Sequence, residues 1–139
     1  MKINFKIYPE KWLIASRFTG TIIFEDVLQW FNKTKEHPDF SPKYQGVIDM
    51  RTAVFGDANR ENPGKMVKKT YALAEYMKKI DFTKSKWALI TDTPVETSLL
   101  MMYAKDASKK HPIKIFSTVE AVEEYLNLSI ADVLKDLNE

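Results

Sequence analysis

The first twenty residues show the alternation of apolar and polar side chains that is typical of β-strands. Apolar residues at every second position from Ile3 to Ile7 predict a half-buried strand. Pro9-Glu10-Lys11 supplies a turn, and the β-rich segment from Trp12 to Phe18, which ends at Thr19-Gly20, predicts a second strand. The two strands are expected to form an antiparallel hairpin.

The period changes to that of an amphipathic helix from Glu25 onward. Apolar residues recur at helical spacing after Val27, and Glu25 and Asp26 complement the helix dipole in the first turn. The prediction is a helix over residues 25–36. His37-Pro38 is expected to end it, because the residue before a proline is disfavoured in the α conformation.

Strands and helices alternate along the rest of the chain. Short apolar runs predict buried strands over residues 46–50, 86–91 and 111–116, and residues 52–62 are rich in turn formers. Asn62-Pro63 is a helix start signal, and the segments Thr93 to Glu96 and Ser117 to Glu120 are capping boxes. The predicted helices cover residues 63 to about 80, 93 to about 108, 117–126 and 129–137.

The resulting order of elements is β-β-α-β-α-β-α-β-α plus a C-terminal helix. Strands that alternate with helices predict a mainly parallel sheet with right-handed crossovers, and the opening hairpin adds an antiparallel edge strand. The predicted fold class is therefore α/β. No repeat or low-complexity segment divides the 139 residues, so we expect a single domain over residues 1–139.

Composition excludes several kinds of chemistry. The chain has no cysteine, so disulfides, thiolate catalysis and cysteine-ligated metals are excluded. His37 and His111 each precede a proline and lack the spacing of a metal-binding pair, so no metal site is predicted. The four glycines form no phosphate-binding loop, and no Ser-His-Asp ordering or nucleophile elbow occurs. We therefore expect no cofactor and no enzymatic activity.

Charge and hydropathy predict a cytoplasmic protein that binds neither nucleic acid specifically nor membranes integrally. The 21 basic and 19 acidic residues give a net charge of +2, and only Arg17, Arg51 and Arg60 offer the guanidinium group favoured for base readout. The apolar runs fall far short of the roughly 20 residues of a membrane-spanning helix. The segment Met1 to Tyr8 has no apolar stretch of the kind found in secretory signals.

Four short strings occur in a distinctive order along the chain. They are Phe18-Thr19-Gly20 before the acidic Glu25-Asp26, then His37-Pro38-Asp39-Phe40, then Val47-Ile-Asp-Met-Arg51, and finally Phe116-Ser-Thr-Val-Glu-Ala121. In this order and spacing they resemble the SpoIIAA-like branch of the STAS superfamily, small bacterial proteins labelled STAS or SEC14-like. The resemblance implies a family-like core over residues 1–126, with residues 127–139 as an additional C-terminal helix.

The resemblance implies a fold more than an activity. In the anti-anti-sigma members, a Ser or Thr at the start of the helix after the central strand is phosphorylated. The comparable stretch here, Phe55 to Arg60, has no hydroxyl residue, and Thr52 lies too near the strand to substitute for one. A phospho-switch is therefore not carried over to this chain. In SEC14-like relatives, the implied role is binding of an apolar or lipid-like ligand.

The first candidate site lies at the carboxyl ends of the predicted central strands, where open α/β sheets bind ligands. Asp49 and Arg51 are candidates for a polar ligand or a switch contact, although the favoured interpretation is structural: Asp49 either caps a loop or pairs with Arg51. Thr91 and Asp92 follow the next strand. Asp92 is a candidate ligand carboxylate, and the favoured alternative is that Asp92 and Thr93 cap the following helix.

The second candidate site is apolar. Six methionines, three tryptophans and eight phenylalanines offer material for an adaptable pocket, although helical spacing places most of them in the core. Trp30, Met101 and Tyr103 are the candidates for ligand or partner contacts.

Two interpretations of the function follow. The leading one is a non-enzymatic protein-interaction or regulatory module, and the alternative is a small-molecule or lipid-binding module with an apolar pocket between helices and sheet. A homodimer is a further hypothesis, because an apolar face of the C-terminal helix requires a partner surface; that face comprises Ile130, Val133, Leu134 and Leu137.

Charge is distributed unevenly along the chain. Residues 60–90 carry eight basic and three acidic side chains, whereas residues 117–139 carry one basic and six acidic side chains. We interpret these as solvated helix faces, with partner steering as the alternative.

Overall fold

The computed structural model describes residues 3–55, 86–92 and 113–137, and the elements given below are those of these three stretches. The elements are β1 (Ile3–Tyr8), a 3₁₀ turn (Pro9–Lys11), β2 (Leu13–Ile22), α1 (Phe24–Glu36), β3 (Gln45–Phe55), β4 (Trp87–Ile90), β5 (Ile113–Phe116), α2 (Val119–Leu126) and α3 (Ala131–Asp136). The helices predicted over residues 63–80 and 93–108 lie outside the described residues.

The described strands form one sheet in the order β1-β2-β3-β4-β5. β1 runs antiparallel to β2, whereas β2, β3, β4 and β5 pair in parallel with their neighbours. The mainly parallel sheet with an antiparallel N-terminal edge strand confirms the predicted α/β fold class.

The two longest strands extend beyond their predicted ends. β2 continues past Gly20 to Ile22, and β3 continues to Phe55, through a segment predicted to be a turn-rich connection. The two extensions pair with each other, from Thr19 opposite Thr52 to Ile22 opposite Phe55. The predicted ends were wrong because strand propensity depends on a neighbouring strand that the local sequence does not reveal.

The described helices begin and end near their predicted residues. In α1, Asp26 Oδ2 accepts a hydrogen bond from the backbone N–H of Ile23 at 3.0 Å, and the helix ends at Glu36, before the extended backbone of His37. In α2, the cap is Thr118, whose Oγ1 accepts from the N–H of Ala121 at 3.2 Å. The predicted capping box from Ser117 to Glu120 is therefore wrong: the cap lies one residue later, and Ala121 has no side-chain acceptor to complete a box.

The sheet has a hydrophobic core on each face. On one face α1 packs against the sheet, and this core contains Ile14, Phe18, Ile22, Trp30, Phe31, Ile48, Met50, Ala53, Trp87 and Leu89. On the other face α2 and α3 pack against Leu13, Ala15, Val47, Ala88 and Ile90. The alternation of side chains along β2, β3 and β4 supplies both cores from the same strands.

The C-terminal helix is part of the second core. Ile130, Val133, Leu134 and Leu137 are each at most 3% exposed, and they cluster with residues of β2, β3 and β4. The chain's own sheet therefore covers the apolar face that was predicted to need a second copy. The hypothesis of a homodimer contact through this face is therefore wrong.

Candidate functional site

Asp49 lies between two arginines on the face of the sheet that α2 and α3 cover. Its carboxylate is 4% exposed, and Oδ2 accepts hydrogen bonds from Arg17 Nη2 and Arg51 Nη2, both at 2.9 Å, and from Arg17 Nε at 3.2 Å. Oδ1 accepts from Arg51 Nε at 2.9 Å and from the Arg51 backbone N–H at 3.1 Å. Both oxygens are therefore engaged by charged or backbone donors.

The position of Asp49 explains why this cluster forms. Arg17 and Asp49 are opposite each other in the β2–β3 register, and the register then shifts, so that Thr19 is opposite Thr52. β3 therefore contains one extra residue beside Arg51, as in a β-bulge, and a bulge interrupts the ladder of backbone hydrogen bonds. At this bulge the Asp49 carboxylate accepts a hydrogen bond from the Arg51 N–H and so satisfies a backbone donor of β3. The same carboxylate accepts hydrogen bonds from Arg17 and thereby joins β3 to β2.

The ionisation of the cluster follows from these contacts. Burial alone would raise the pKa of Asp49, but hydrogen bonds from the side chain and backbone of Arg51 and from Arg17 outweigh burial and lower the pKa below its usual value. The hydrogen bonds to Asp49 raise the pKa of Arg51 against the opposing effect of burial, and the charges of Asp49, Asp92 and Glu120 add to the increase. The carboxylate is thus ionised and fully hydrogen-bonded, which suits a structural ion pair better than a proton acceptor.

The structure brings only part of the first predicted site together. Asp49 and Arg51 pair directly, and the exposed Asp92 lies within electrostatic range of Arg51. Thr91 is buried, and its backbone N–H donates to the carbonyl of Phe116 at 3.0 Å. Thr93 lies outside the described residues, so its predicted role as a helix cap stays a prediction.

Arg17 is the member of this cluster that the sequence analysis missed. Its side chain is 12% exposed and makes two of the hydrogen bonds to Asp49. The available signal was an arginine on the same face of the strand as the apolar Leu13 and Ala15. That signal identifies no partner until the register of β2 against β3 is known.

A groove of about 380 Å³ runs beside the edge strand β1. One wall comes from α1, and the other comes from the end of α3 and the residue after it. Six of its ten lining residues have polar side chains; the lining comprises Ile3, Asn4, Phe5, Lys6, Asp26, Gln29, Trp30, Lys33, Asp136 and Leu137. The sequence analysis did not predict this groove, because its walls are distant in the chain.

Hydrogen bonds hold the α3 wall of the groove against β1. Asp136 Oδ2 accepts from the Tyr8 hydroxyl at 2.7 Å and lies 3.1 Å from Lys6 Nζ. Asn4 Nδ2 donates to the carbonyl of Leu137 at 3.4 Å. Burial, the hydrogen bond to Asp136, and the charges of Asp136 and Glu10 raise the pKa of Tyr8, so the phenol stays protonated and keeps this bond near neutral pH.

Trp30 lies at the base of the groove and is largely inaccessible. It is 4% exposed, and its Nε1 donates to Ser16 Oγ at 2.9 Å. Its ring makes edge contacts with Phe18 and Trp87, at centroid separations of 5.5 and 6.1 Å. Trp30 is therefore a core residue that lines the groove rather than an exposed contact. Met101 and Tyr103, the other two apolar candidates, lie outside the described residues.

The described residues contain no group of three or more His, Asp or Glu side chains placed to hold a metal ion. None of the described helices combines the length and the apolar character needed to cross a membrane.

Comparison with known proteins supports the fold. No protein-family model matches the chain, and no curated protein matches it. Among solved structures, the chain is similar to an uncharacterised protein from Shewanella loihica, of the DUF3478 family, with a SpoIIAA-like fold. The two share 13% sequence identity and a TM-score of 0.56, over 89% of this chain and 91% of the other. The predicted SpoIIAA-like fold is thereby confirmed, at an identity that carries the fold alone.

Proposed function

We propose that this protein is a non-enzymatic interaction module that binds another protein in the groove beside β1. The observation that carries this proposal is the groove itself, which combines the backbone of a sheet edge with two helical walls. Protein interfaces combine an apolar centre with a polar rim, and the groove has both. Ile3 and Phe5 contribute apolar surface, while Gln29 and Lys33 are exposed at the rim.

The charges of the groove favour a charged partner. Asp26 accepts a hydrogen bond at the start of α1, and Asp136 is engaged by Lys6 and Tyr8. Lys33 is exposed and has no ion-pair partner among the described residues. Lys33 therefore presents a positive charge at the rim of the groove, and an acidic side chain of a partner would neutralise it.

The contacts of Asp49 support a non-enzymatic role. A general base needs a carboxylate that can accept a proton near the operating pH. The hydrogen bonds from Arg51 and Arg17 lower the pKa of Asp49, and five donor groups already occupy its oxygens. The carboxylate thus favours a fixed ion pair over proton transfer.

Site-specific photocrosslinking in the native cell tests the proposal. A photocrosslinking amino acid in place of Gln29 lies on the groove, and the same amino acid in place of the exposed Glu124 on α2 is the matched control. We expect a discrete protein adduct at Gln29 that weakens when Lys33→Glu is added, and none at Glu124. Absence of an adduct at Gln29, or the same adduct at both positions, would refute the proposal.

Binding of a small molecule in the same groove is the second candidate. A volume of about 380 Å³ is within the range of roughly 300–1,000 Å³ found for ligand pockets, and the partly exposed Phe5 offers an aromatic surface. The four charged side chains in the lining favour a ligand that carries polar groups. Native mass spectrometry of protein purified from its own cells tests this alternative. It predicts a peak for the protein with a bound small molecule, and the loss of this peak in the Lys33→Glu variant. A peak for the unliganded protein alone would count against it.

A further inference from the structure

The edge of the sheet at β1 has the features of a strand acceptor. β1 pairs with β2 from Ile3 opposite Phe18 to Tyr8 opposite Leu13, with no register shift and no proline. In a regular antiparallel pair, alternate residues direct their backbone N–H and C=O groups away from the partner strand. Alternate residues among the six of β1 therefore direct backbone donors and acceptors away from β2, and residues 3–6 of this strand line the groove.

The groove favours a lone extended segment over a second copy of this chain. α1 provides a wall at one face of the edge, and α3 provides a wall at the other. Asn4 and Lys6 of β1 bond to Leu137 and Asp136, which fixes the second wall in place. A second copy would bring its own pair of walls to the same edge, whereas a single strand needs only the spacing of about 4.8 Å between neighbouring strands.

The charges of the edge specify the chemistry of the segment. Lysine on an edge strand ordinarily discourages strand addition, but the Lys6 ammonium is held 3.1 Å from Asp136 Oδ2. Lys33 is exposed on the α1 wall with no ion-pair partner among the described residues. An incoming strand satisfies the edge best when it carries an acidic residue beside Lys33 and apolar residues against Ile3 and Phe5.

We propose that the groove binds an extended, acidic segment of a partner protein, which adds to the sheet as a sixth strand beside β1 and pairs a carboxylate with Lys33. This inference rests on the proposed function, because it specifies how the partner occupies the groove. Backbone hydrogen bonds supply the affinity, and the side chains that alternate toward the two walls supply the specificity.

The test uses a phage-displayed library of random twelve-residue peptides, selected on the full chain and counter-selected on the Lys33→Glu variant. We expect selected peptides to carry Asp or Glu among β-forming residues. Lys33→Glu should weaken their binding at least tenfold, and exchanging the peptide's acidic residue for lysine should restore it. The matched control is Lys114→Glu, at an exposed lysine on the opposite edge strand β5, which should leave the affinity unchanged.

Hydrogen exchange distinguishes strand addition from other modes of binding. A bound peptide should slow hydrogen exchange of alternate β1 amides at least tenfold. An N-methyl group on the peptide backbone should abolish binding when it is placed at the alternate positions that face β1, and should leave binding intact at the positions between them. Peptides that bind without protecting β1 would overturn strand addition while leaving the proposed function intact. If the selection yields no peptide although the photocrosslinker at position 29 captures a protein, strand addition is again refuted. If the selection yields no peptide and the photocrosslinker captures no protein, the proposed function is refuted as well.

Discussion

Replacement of Asp49 by asparagine isolates the charge of the Arg17–Asp49–Arg51 cluster, because the two side chains have nearly the same shape. Removing one partner of a buried ion pair typically costs about 3–5 kcal/mol, since the remaining charge is left without compensation. The Arg17 side chain is 12% exposed and loses this partner in the interior. The Arg51 side chain is 35% exposed and can recover water, so we expect a loss of about 3 kcal/mol, at the low end of that range.

Urea denaturation at several pH values measures the effect. With a slope of about 2 kcal/mol per molar urea, the midpoint of Asp49→Asn should fall by about 1–2 M at pH 7. The pKa of Asp49 is lowered in the folded state, so its stabilisation is fully present above the unfolded value of about 3.9. The stabilisation is lost as the pH falls through the folded pKa, and the difference between the two proteins should therefore narrow in acid.

The control for this experiment is Asp39→Asn, at an exposed position in the loop after α1. A surface substitution of this kind should change the free energy of unfolding by no more than about 0.5 kcal/mol. The reasoning would be refuted if Asp49→Asn matched this control at pH 7. It would also be refuted if the loss of stability were the same at pH 3 as at pH 7, because the effect would then not depend on the carboxylate charge.

Two further substitutions test the packing around Trp87 and Trp30. Gly46→Ala should destabilise the protein by about 1–3 kcal/mol, because the new methyl would overlap the ring of the buried Trp87; Trp87→Leu in the same chain should recover part of the loss in a double-mutant cycle, and purely additive effects would contradict this. Trp30→Phe should cost about 1–3 kcal/mol because it leaves the buried Ser16 hydroxyl without its donor; adding Ser16→Ala should reduce this cost, as measured by thermal unfolding.

Local patterns in the sequence predicted most of the described elements. The alternation from Ile3 to Ile7 predicted β1, and helical spacing with acidic residues in the first turn predicted α1 to within one residue. Side-chain periodicity and helix start signals depend on neighbours a few positions apart, so one chain segment contains the whole signal. The alternation of strands and helices then limited the sheet to a mainly parallel arrangement, which the structure confirms.

The candidate site depended more on contacts between distant segments. Asp49 and Arg51 were predicted as site candidates, and pairing of their side chains was one of two structural interpretations, the other being a loop cap. The sequence analysis did not identify Arg17, because the parallel register that places Arg17 opposite Asp49 involves residues 32 positions apart. Trp30 was a candidate for ligand or partner contacts, whereas packing against the sheet buries its ring.

The sequence by itself determined the fold class and the order of the described elements, since these follow from short-range periodicity and helix signals. Only the tertiary structure decided how far β3 extends, what covers the apolar face of α3 and where a groove forms. Each of these depends on free energy gained between segments distant in the chain: backbone pairing for Phe55, burial against the sheet for Leu134, and a shared wall for Lys6 and Asp136. The apolar face around Leu134, for which a homodimer partner was hypothesised, packs against the chain's own β-sheet.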